Sequence, residues 1–254
     1  MARLSDTHFH FTDRPYISCP ERVFHLMANH RIHTALVPAY NLESCQRIIA
    51  LKTTYPSLPV AIGIHPLHLP QNTPITRELI DIYNKIPVSA IGEIGLDKRP
   101  GAPALDAQEK AFHEQLILAA NWELPVIIHC VRAHDRCLQI LKSFFKTKPL
   151  KGVIHRISCS IEIAQEYLDL GLYVGLGPDL FDQRRHRLQT LASGVPTDRI
   201  VLETDAPYGK NRDGTICNPW EIYDVLDILA SLRKISEADL EQIIIQNTFN
   251  LLGI

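Results

Sequence analysis

The chain has 254 residues, 46% of them hydrophobic, and a formal net charge of −2 at pH 7. That length and apolar content can bury a large core and suit one α/β barrel or two smaller domains. The nearly balanced charge excludes a protein that coats nucleic acid by bulk electrostatics. The opening Met-Ala-Arg-Leu-Ser-Asp holds no signal-peptide core and no later apolar run is long enough for a bilayer, so a soluble, cytoplasmic protein without membrane contact is expected.

In chain order, short apolar runs alternate with longer amphipathic segments, the pattern of repeated βα units. Eight strand candidates begin near Leu4, Thr34, Pro59, Val88, Pro125, Gly152, Leu172 and Arg199. Ser18-Cys19-Pro20-Glu21 reads as a capping box with proline in the first turn, and Thr73-Pro74 as a cap followed by proline at the first helical position. Phe112, Leu116, Ala119 and Ala120 make one stripe of a helix over 108–122. Ile161, Ala164 and Leu168 make another, which Gly171 stops. After the eighth strand come a helix over 220–232 and, behind a capping box at 236–239, a closing helix over 240–252. No Gly- or Ser-rich linker interrupts the chain, so the expectation is an α/β fold, a single (β/α)8 TIM barrel over 1–254 with an additional C-terminal helix.

Cys19, Cys45, Cys130, Cys137, Cys159 and Cys217 fall at irregular spacings without C-x-x-C, which predicts free thiols serving mainly as small core packers. Cys130 and Cys159 are the two nearest to candidate site residues.

The ionisable residues gather at the C-terminal ends of the apolar runs. His8 and His10 close the first run, and the period of two along a strand points them to one face. Glu93 lies in Ala90-Ile91-Gly92-Glu93-Ile94-Gly95-Leu96-Asp97, a segment apolar enough to be covered on both faces. A lone carboxylate there would cost several kcal/mol or take up a proton, so it needs a partner. Gly92 and Gly95 mark places where a ligand or another backbone comes close. His129 ends the fifth run, with Arg132 just beyond it; His155 ends the sixth, and Asp205 ends the eighth. In a βα barrel these ends converge on one mouth. Any one of these histidines alone is more often structural, whereas His8, His10, Glu93, His129, His155 and Asp205 together are hard to explain without metal. His25, His30, His33, His113, His134 and His186 lack this placement and are expected to be structural or solvated.

Five blocks in this order carry a family resemblance: Asp-Thr-His-Phe-His at 6–10, Gly-Ile-His-Pro at 63–66, Gly-Glu-Ile-Gly-Leu-Asp at 92–97, Pro-Val-Ile-Ile-His at 125–129 and Leu-Glu-Thr-Asp-Ala-Pro at 202–207. From Asp6 to Leu252 the chain resembles the TatD family of metal-dependent hydrolases, within the amidohydrolase-like barrels. The resemblance implies two divalent ions, with His8, His10 and Asp205 on one, His129 and His155 on the other, and Glu93 bridging in place of the carbamylated lysine of related enzymes. It implies that Asp205 also acts as the base toward a water, and that Asp205 and Glu93 are the catalytic carboxylates. His65 and Arg132 are implied contacts to a substrate phosphate. Imidazole-rich ligation favours zinc or manganese, with magnesium left open.

The chain also departs from the family pattern. Where the family commonly has His-Cys-Phe-Ser-Gly-Ser, the sequence reads His155-Arg156-Ile157-Ser158-Cys159-Ser160; Lys98 stands where many members have tyrosine, and Cys217 where Asn is frequent. The expected activity is phosphodiester hydrolysis at DNA ends, with DNA or a small phosphoester as substrate and no obligate protein partner evident. The basic run at 184–187 is a candidate for the rim of the mouth or the solvated start of a helix. The alternatives are a metal-dependent amide, ester or lactone hydrolase on the same barrel, or a non-catalytic binding barrel.

Overall fold

The computed structural model describes residues 3–70 and 75–254. Its core is one parallel sheet whose strands neighbour each other in chain order: β1 (Val37–Pro38), β2 (Val60–Ile62), β3 (Ala90–Asp97), β4 (Val126–Val131), β5 (Gly152–Ile154), β6 (Tyr173–Leu176) and β7 (Ile200–Leu202). The helices are α1 (Pro20–Asn29), α2 (Leu42–Thr54), α3 (Ile75–Tyr83), α4 (Leu105–Asn121), α5 (His134–Phe145), α6 (Ile161–Asp169), α7 (His186–Gly194), α8 (Ile222–Arg233) and α9 (Glu237–Leu252).

The first expected strand forms no regular ladder, yet it closes the ring. The segment 4–10 lies between β1 and β7, bridging Ala35 through Asp6 and Ala206 through Phe9. Leu36 N–H donates to Asp6 O (2.8 Å) and Phe9 N–H to Leu36 O (3.0 Å) on one side. On the other, Thr7 N–H donates to Leu202 O (3.1 Å) and Asp205 N–H to His8 O (2.9 Å). The ladder is interrupted because the buried Asp6 carboxyl accepts the backbone N–H of His8 (3.0 Å) and of Thr204 (3.1 Å) and the Thr204 hydroxyl (2.5 Å). The fold is the α/β barrel of the TIM class, with this segment as its irregular eighth stave.

Alternation along the staves divides the core. Leu36, Ala61, Ala90, Ile127, Val153, Tyr173 and Val201 form an inner cluster, and Leu251, Leu252 and Ile254 at the end of α9 pack against it. The intervening residues face the helices in the larger cluster. Burying each Val, Leu, Ile or Phe side chain contributes roughly 1.5–3 kcal/mol, so these two layers dominate the stability of the barrel. The C-terminal helix expected from sequence plugs the end opposite the mouth.

Helix boundaries depart locally from expectation. Ser18 belongs to a 3-10 turn, Tyr16–Ser18, so α1 starts at Pro20 with Cys19 at its N-cap and no side-chain cap; the expected box does not form. Ser236 does cap α9 by accepting the Asp239 N–H. The expected cap at Thr73-Pro74 lies outside the described residues. All six cysteines are free, four of them buried. No helix among the described residues is long and apolar enough to cross a membrane.

Candidate metal centre

At the C-terminal ends of the staves the structure brings His8, His10, Glu93, His129, His155 and Asp205 into one cluster, together with His65. Glu93, only 4% exposed, is its centre. Its Oε2 lies 3.5 Å from His8 Nε2 and 3.9 Å from His10 Nε2, while its Oε1 lies 2.8 Å from His129 Nδ1, 3.6 Å from His65 Nε2 and 4.0 Å from His155 Nε2. The two carboxylate oxygens thus face two different sets of imidazoles. Asp205 Oδ1 sits 3.3 Å from His10 Nε2, 3.7 Å from His155 Nε2 and 3.9 Å from His8 Nε2. His8 and His10 approach to 3.1 Å through their Nε2 atoms, and the His155 ring stacks on His8 at 3.5 Å.

The backbone makes this convergence possible. A Cβ on Gly95, whose φ is +140°, would lie 2.0 Å from the carbonyl oxygen of His129. Only glycine lets β3 pass that close to β4 where two site residues must meet. What approaches this glycine is the neighbouring strand.

Two further carboxyl groups, to which the sequence assigns no role, orient the imidazoles from behind. Asp97 Oδ2 lies 2.8 Å from His129 Nε2, so with that nitrogen protonated the Nδ1 faces Glu93. Glu203 Oε2 lies 3.0 Å from His155 Nδ1, an ion-pair contact whose angles fall short of a hydrogen bond. A carboxyl behind an imidazole fixes its tautomer and raises its basicity. The far nitrogens of His8 and His10 are buried with no hydrogen-bond partner among the described residues, so neither ring is held this way. Asp97 lies in Gly-Glu-Ile-Gly-Leu-Asp at 92–97 and Glu203 in Leu-Glu-Thr-Asp-Ala-Pro at 202–207, and an acid inside a buried run is the signal that could have found them.

Electrostatics follow from burial set against these neighbours. Burial and the nearby His155 push the His8 pKa down, leaving a neutral ring with a lone pair to offer. Burial likewise lowers His65 to about 3, and its Nδ1 accepts the Leu67 N–H at 3.0 Å. For Glu93 burial works toward protonation, but His65, His129, His8 and His155 outweigh it and hold the carboxyl well below its usual range. His155 is opposed by burial, yet Glu203, Asp205 and Glu93 lift it to about 9. Asp205 is also opposed by burial and held low by His10, His155 and His8.

The donor set fits divalent cations. Single donor atoms of His8, His155 and Asp205, of His8, His10 and Glu93, and of His65, Glu93 and His129 lie in each case within 4.8 Å of one another. Neutral imidazole and ionised carboxylate are the forms that bind zinc, manganese and related ions.

Above the cluster opens a cavity of about 500 Å³ lined by Tyr40, His65, His68, Arg99, Arg156, Asp179, Arg185 and Tyr208 among others. Arg132 is exposed and does not line it. Its backbone is left-handed, with φ +56°, in the bend between β4 and α5, and the guanidiniums over the cavity come from Arg99, Arg156 and Arg185. Arg156 reaches Asp205 Oδ2 through Nη1 (2.7 Å) and Asp179 through Nε (2.8 Å) and Nη2 (3.2 Å). The buried Cys130 also lines the cavity, whereas Cys159 does not. Of the histidines expected to be structural or solvated, His134 packs on Tyr167, with Nδ1 3.1 Å from its hydroxyl.

Comparison with known proteins identifies the family. The family described as TatD related DNase matches residues 5–253. An uncharacterised metal-dependent hydrolase of Escherichia coli K12, YjjV, is 31% identical over 100% of this chain and 99% of its own length. The crystal structure of that TatD homologue superposes with a TM-score of 0.93, at 30% identity over 100% of this chain and 99% of that one. A protein named 3'-5' ssDNA/RNA exonuclease TatD, from Klebsiella pneumoniae strain 342, is 38% identical over 72% of this chain and 70% of its own. At 20% identity a TatD family hydrolase of Entamoeba histolytica shares the fold, with a TM-score of 0.87 over 99% of both chains. With its metal-ligating residue types converged at the mouth of the barrel, the chain belongs to the TatD-related DNase family of metal-dependent hydrolases.

Proposed function

We propose that the protein hydrolyses phosphodiester bonds at the ends of single-stranded nucleic acid, using two divalent ions. The observation that carries this reading is the division of Glu93 between two imidazole sets beneath a cavity lined by three guanidiniums. His8, His10 and Asp205 would hold one ion, His129 and His155 the other, and Glu93 would bridge them; His65, with Nε2 toward Glu93, lies close enough to the second set to share in it. Zinc or manganese suits the imidazoles, and the carboxylates admit magnesium. Bound there, such ions supply Lewis acidity, making water acidic enough to attack near neutral pH and offsetting charge on the phosphoryl group.

The chain's own groups do the rest. Asp205 turns Oδ1 inward and gives Oδ2 to Arg156, so the guanidinium fixes the plane of the carboxylate that would take the proton from water. Arg156, partly exposed, lines the cavity with its nitrogens on Asp179 and Asp205, and a phosphate bound there would meet the N–H donors that these carboxylates leave unused. Tyr208, 50% exposed on the rim and with its hydroxyl donating to Asp13 Oδ2 at 2.7 Å, offers a face on which an unpaired base can stack.

The test is to load purified protein with zinc, manganese or magnesium in turn and incubate it with end-labelled single strands, duplex, and a panel of esters, amides and lactones. Progressive shortening of single strands, lost on chelation, supports the proposal. Turnover confined to carbon esters, lactones or amides would overturn it in favour of another hydrolysis on the same barrel. Neither activity, with metal content near zero, would remove both and leave a binding barrel.

A further inference from the structure

The depression over the metal centre continues beyond it. A second cavity, also of about 500 Å³, is lined by Ser158, Cys159, Arg184, Arg185, His186, Arg187 and Leu188. Ser158 and Arg185 line both cavities and form their common wall. Asp179 sits at this boundary, taking Arg156 Nε at 2.8 Å and Arg185 Nη1 at 2.9 Å on one oxygen. A chain of charges therefore runs outward from Asp205 through Arg156 and Asp179 to Arg185. Arg184 turns back onto Asp182 but is 91% exposed, and Arg187 is exposed with no carboxylate partner among the described residues. The first turn of α7 carries no acidic residue and no side-chain cap, and the two carboxylates beside it, Asp179 and Asp182, are each paired with arginine.

We infer that this second groove binds internal phosphates of a single-stranded nucleic acid whose end lies in the first cavity. The site is distinct from the metal centre, and only its orientation toward a reacting end rests on the phosphodiesterase reading. One cavity of about 500 Å³ holds a drug-sized ligand; a dinucleotide or small phosphoester has little use for a second. A longer strand does: the exposed Arg184 exchanges its surface carboxylate for a phosphate at little cost, and the exposed Arg187 has none to give up.

The probes are fluorescein-tagged, phosphorothioate-linked dT3 and dT15, whose binding to metal-loaded protein is read by anisotropy across a salt series. Wild type is expected to prefer dT15 to dT3 by about tenfold or more at low salt. The double variant Arg184→Ala/Arg187→Ala should lose most of that preference, and its slope of log affinity against log salt should fall by about 1.4, two contacts at about 0.7 each. Arg187→Glu alone should act in the same direction. Equal binding of dT3 and dT15 by wild type, or an unchanged preference and slope in the variants, would overturn the groove. Hydrolysis of unmodified dT15 separates the two readings. Wild type that binds dT15 preferentially but cleaves nothing leaves the groove standing and removes the nuclease. Wild type that cleaves strands, with variants that bind like it, does the reverse.

Discussion

Asp205 and Arg156 are the residues whose chemistry is most exposed to test. Asp205→Asn preserves shape and one oxygen but removes charge and basicity, so kcat should fall about 10²- to 10⁴-fold, about 3–5 kcal/mol of barrier, with strand binding better preserved. Near-normal kcat at normal metal content would show that Asp205 is not the base. Arg156→Ala frees the outer oxygen of Asp205 and removes a cavity cation at once, so both kcat and KM should worsen. Arg132→Ala, by contrast, alters an exposed side chain outside the cavity and should stay within about 0.5 kcal/mol of wild type in kcat/KM. The family resemblance points to Arg132 just past His129, but in the structure its backbone is left-handed, with φ +56°, and it does not line the cavity. Arg156, in a loop that departs from the family pattern, could not be paired with Asp205 from sequence because 49 positions separate them.

His155 supplies a prediction with a definite sign. Its pKa in the folded, metal-free protein is about 9, above the ordinary 6.5, so its protonation contributes stability that is fully present below pH 6.5 and is lost as pH rises through 9. A coordinating imidazole must be neutral, so metal binding at pH 7 should release a proton from this ring and apparent affinity should rise with pH up to about 9. Titration calorimetry in two buffers of different ionisation enthalpy measures the release directly. Glu203→Gln removes the first of the favourable carboxyl neighbours and should lower the pH above which release ceases; identical proton release in wild type and variant would show that Glu203 does not control the ring.

At the scale of elements, the strand-end histidines were legible because each follows an apolar run, and a barrel gathers those ends whatever the helices between them do. Asp6, Asp97 and Glu203 were not assigned, because a carboxyl that orients a group on another stave leaves only its burial in the sequence. The first stave was placed correctly but its irregular pairing was hidden, since it depends on Asp6 bonding Thr204 at the far end of the chain. Gly95 tests how β3 and β4 are held together. Gly95→Ala forces a Cβ to 2.0 Å from His129 O at φ +140°, so the strands must separate where Glu93 meets His129. Gly101, at φ +85° with nothing within 4 Å of where a Cβ would lie, is the control and should lose only the conformational cost of positive φ, about 1–2 kcal/mol, on change to alanine. Thermal denaturation should show Gly95→Ala much the less stable and, at a temperature where it is still folded, binding metal more weakly. Equal melting temperatures for the two variants would show that the strand approach is not held by this glycine.

For the whole molecule, the barrel separates what stabilises it from what reacts. The inner cluster is closed from below by Leu251, Leu252 and Ile254, while the ligating side chains occupy the other end of the same staves. Leu251 is 3% exposed, and Leu251→Ala leaves a cavity under the inner layer worth about 2–5 kcal/mol. For a protein of this size that lowers the melting temperature by about 2–4 °C per kcal/mol. Parallel hydrogen bonding between the staves and the helix-facing cluster also hold the register, so little of this loss should reach the mouth. The variant should therefore melt earlier yet, assayed well below its transition, keep wild-type metal stoichiometry and kcat. If metal content or kcat fell in fully folded Leu251→Ala, the two ends of the barrel would be mechanically coupled. The C-terminal helix would then help to set the geometry of the metal centre as well as close the core.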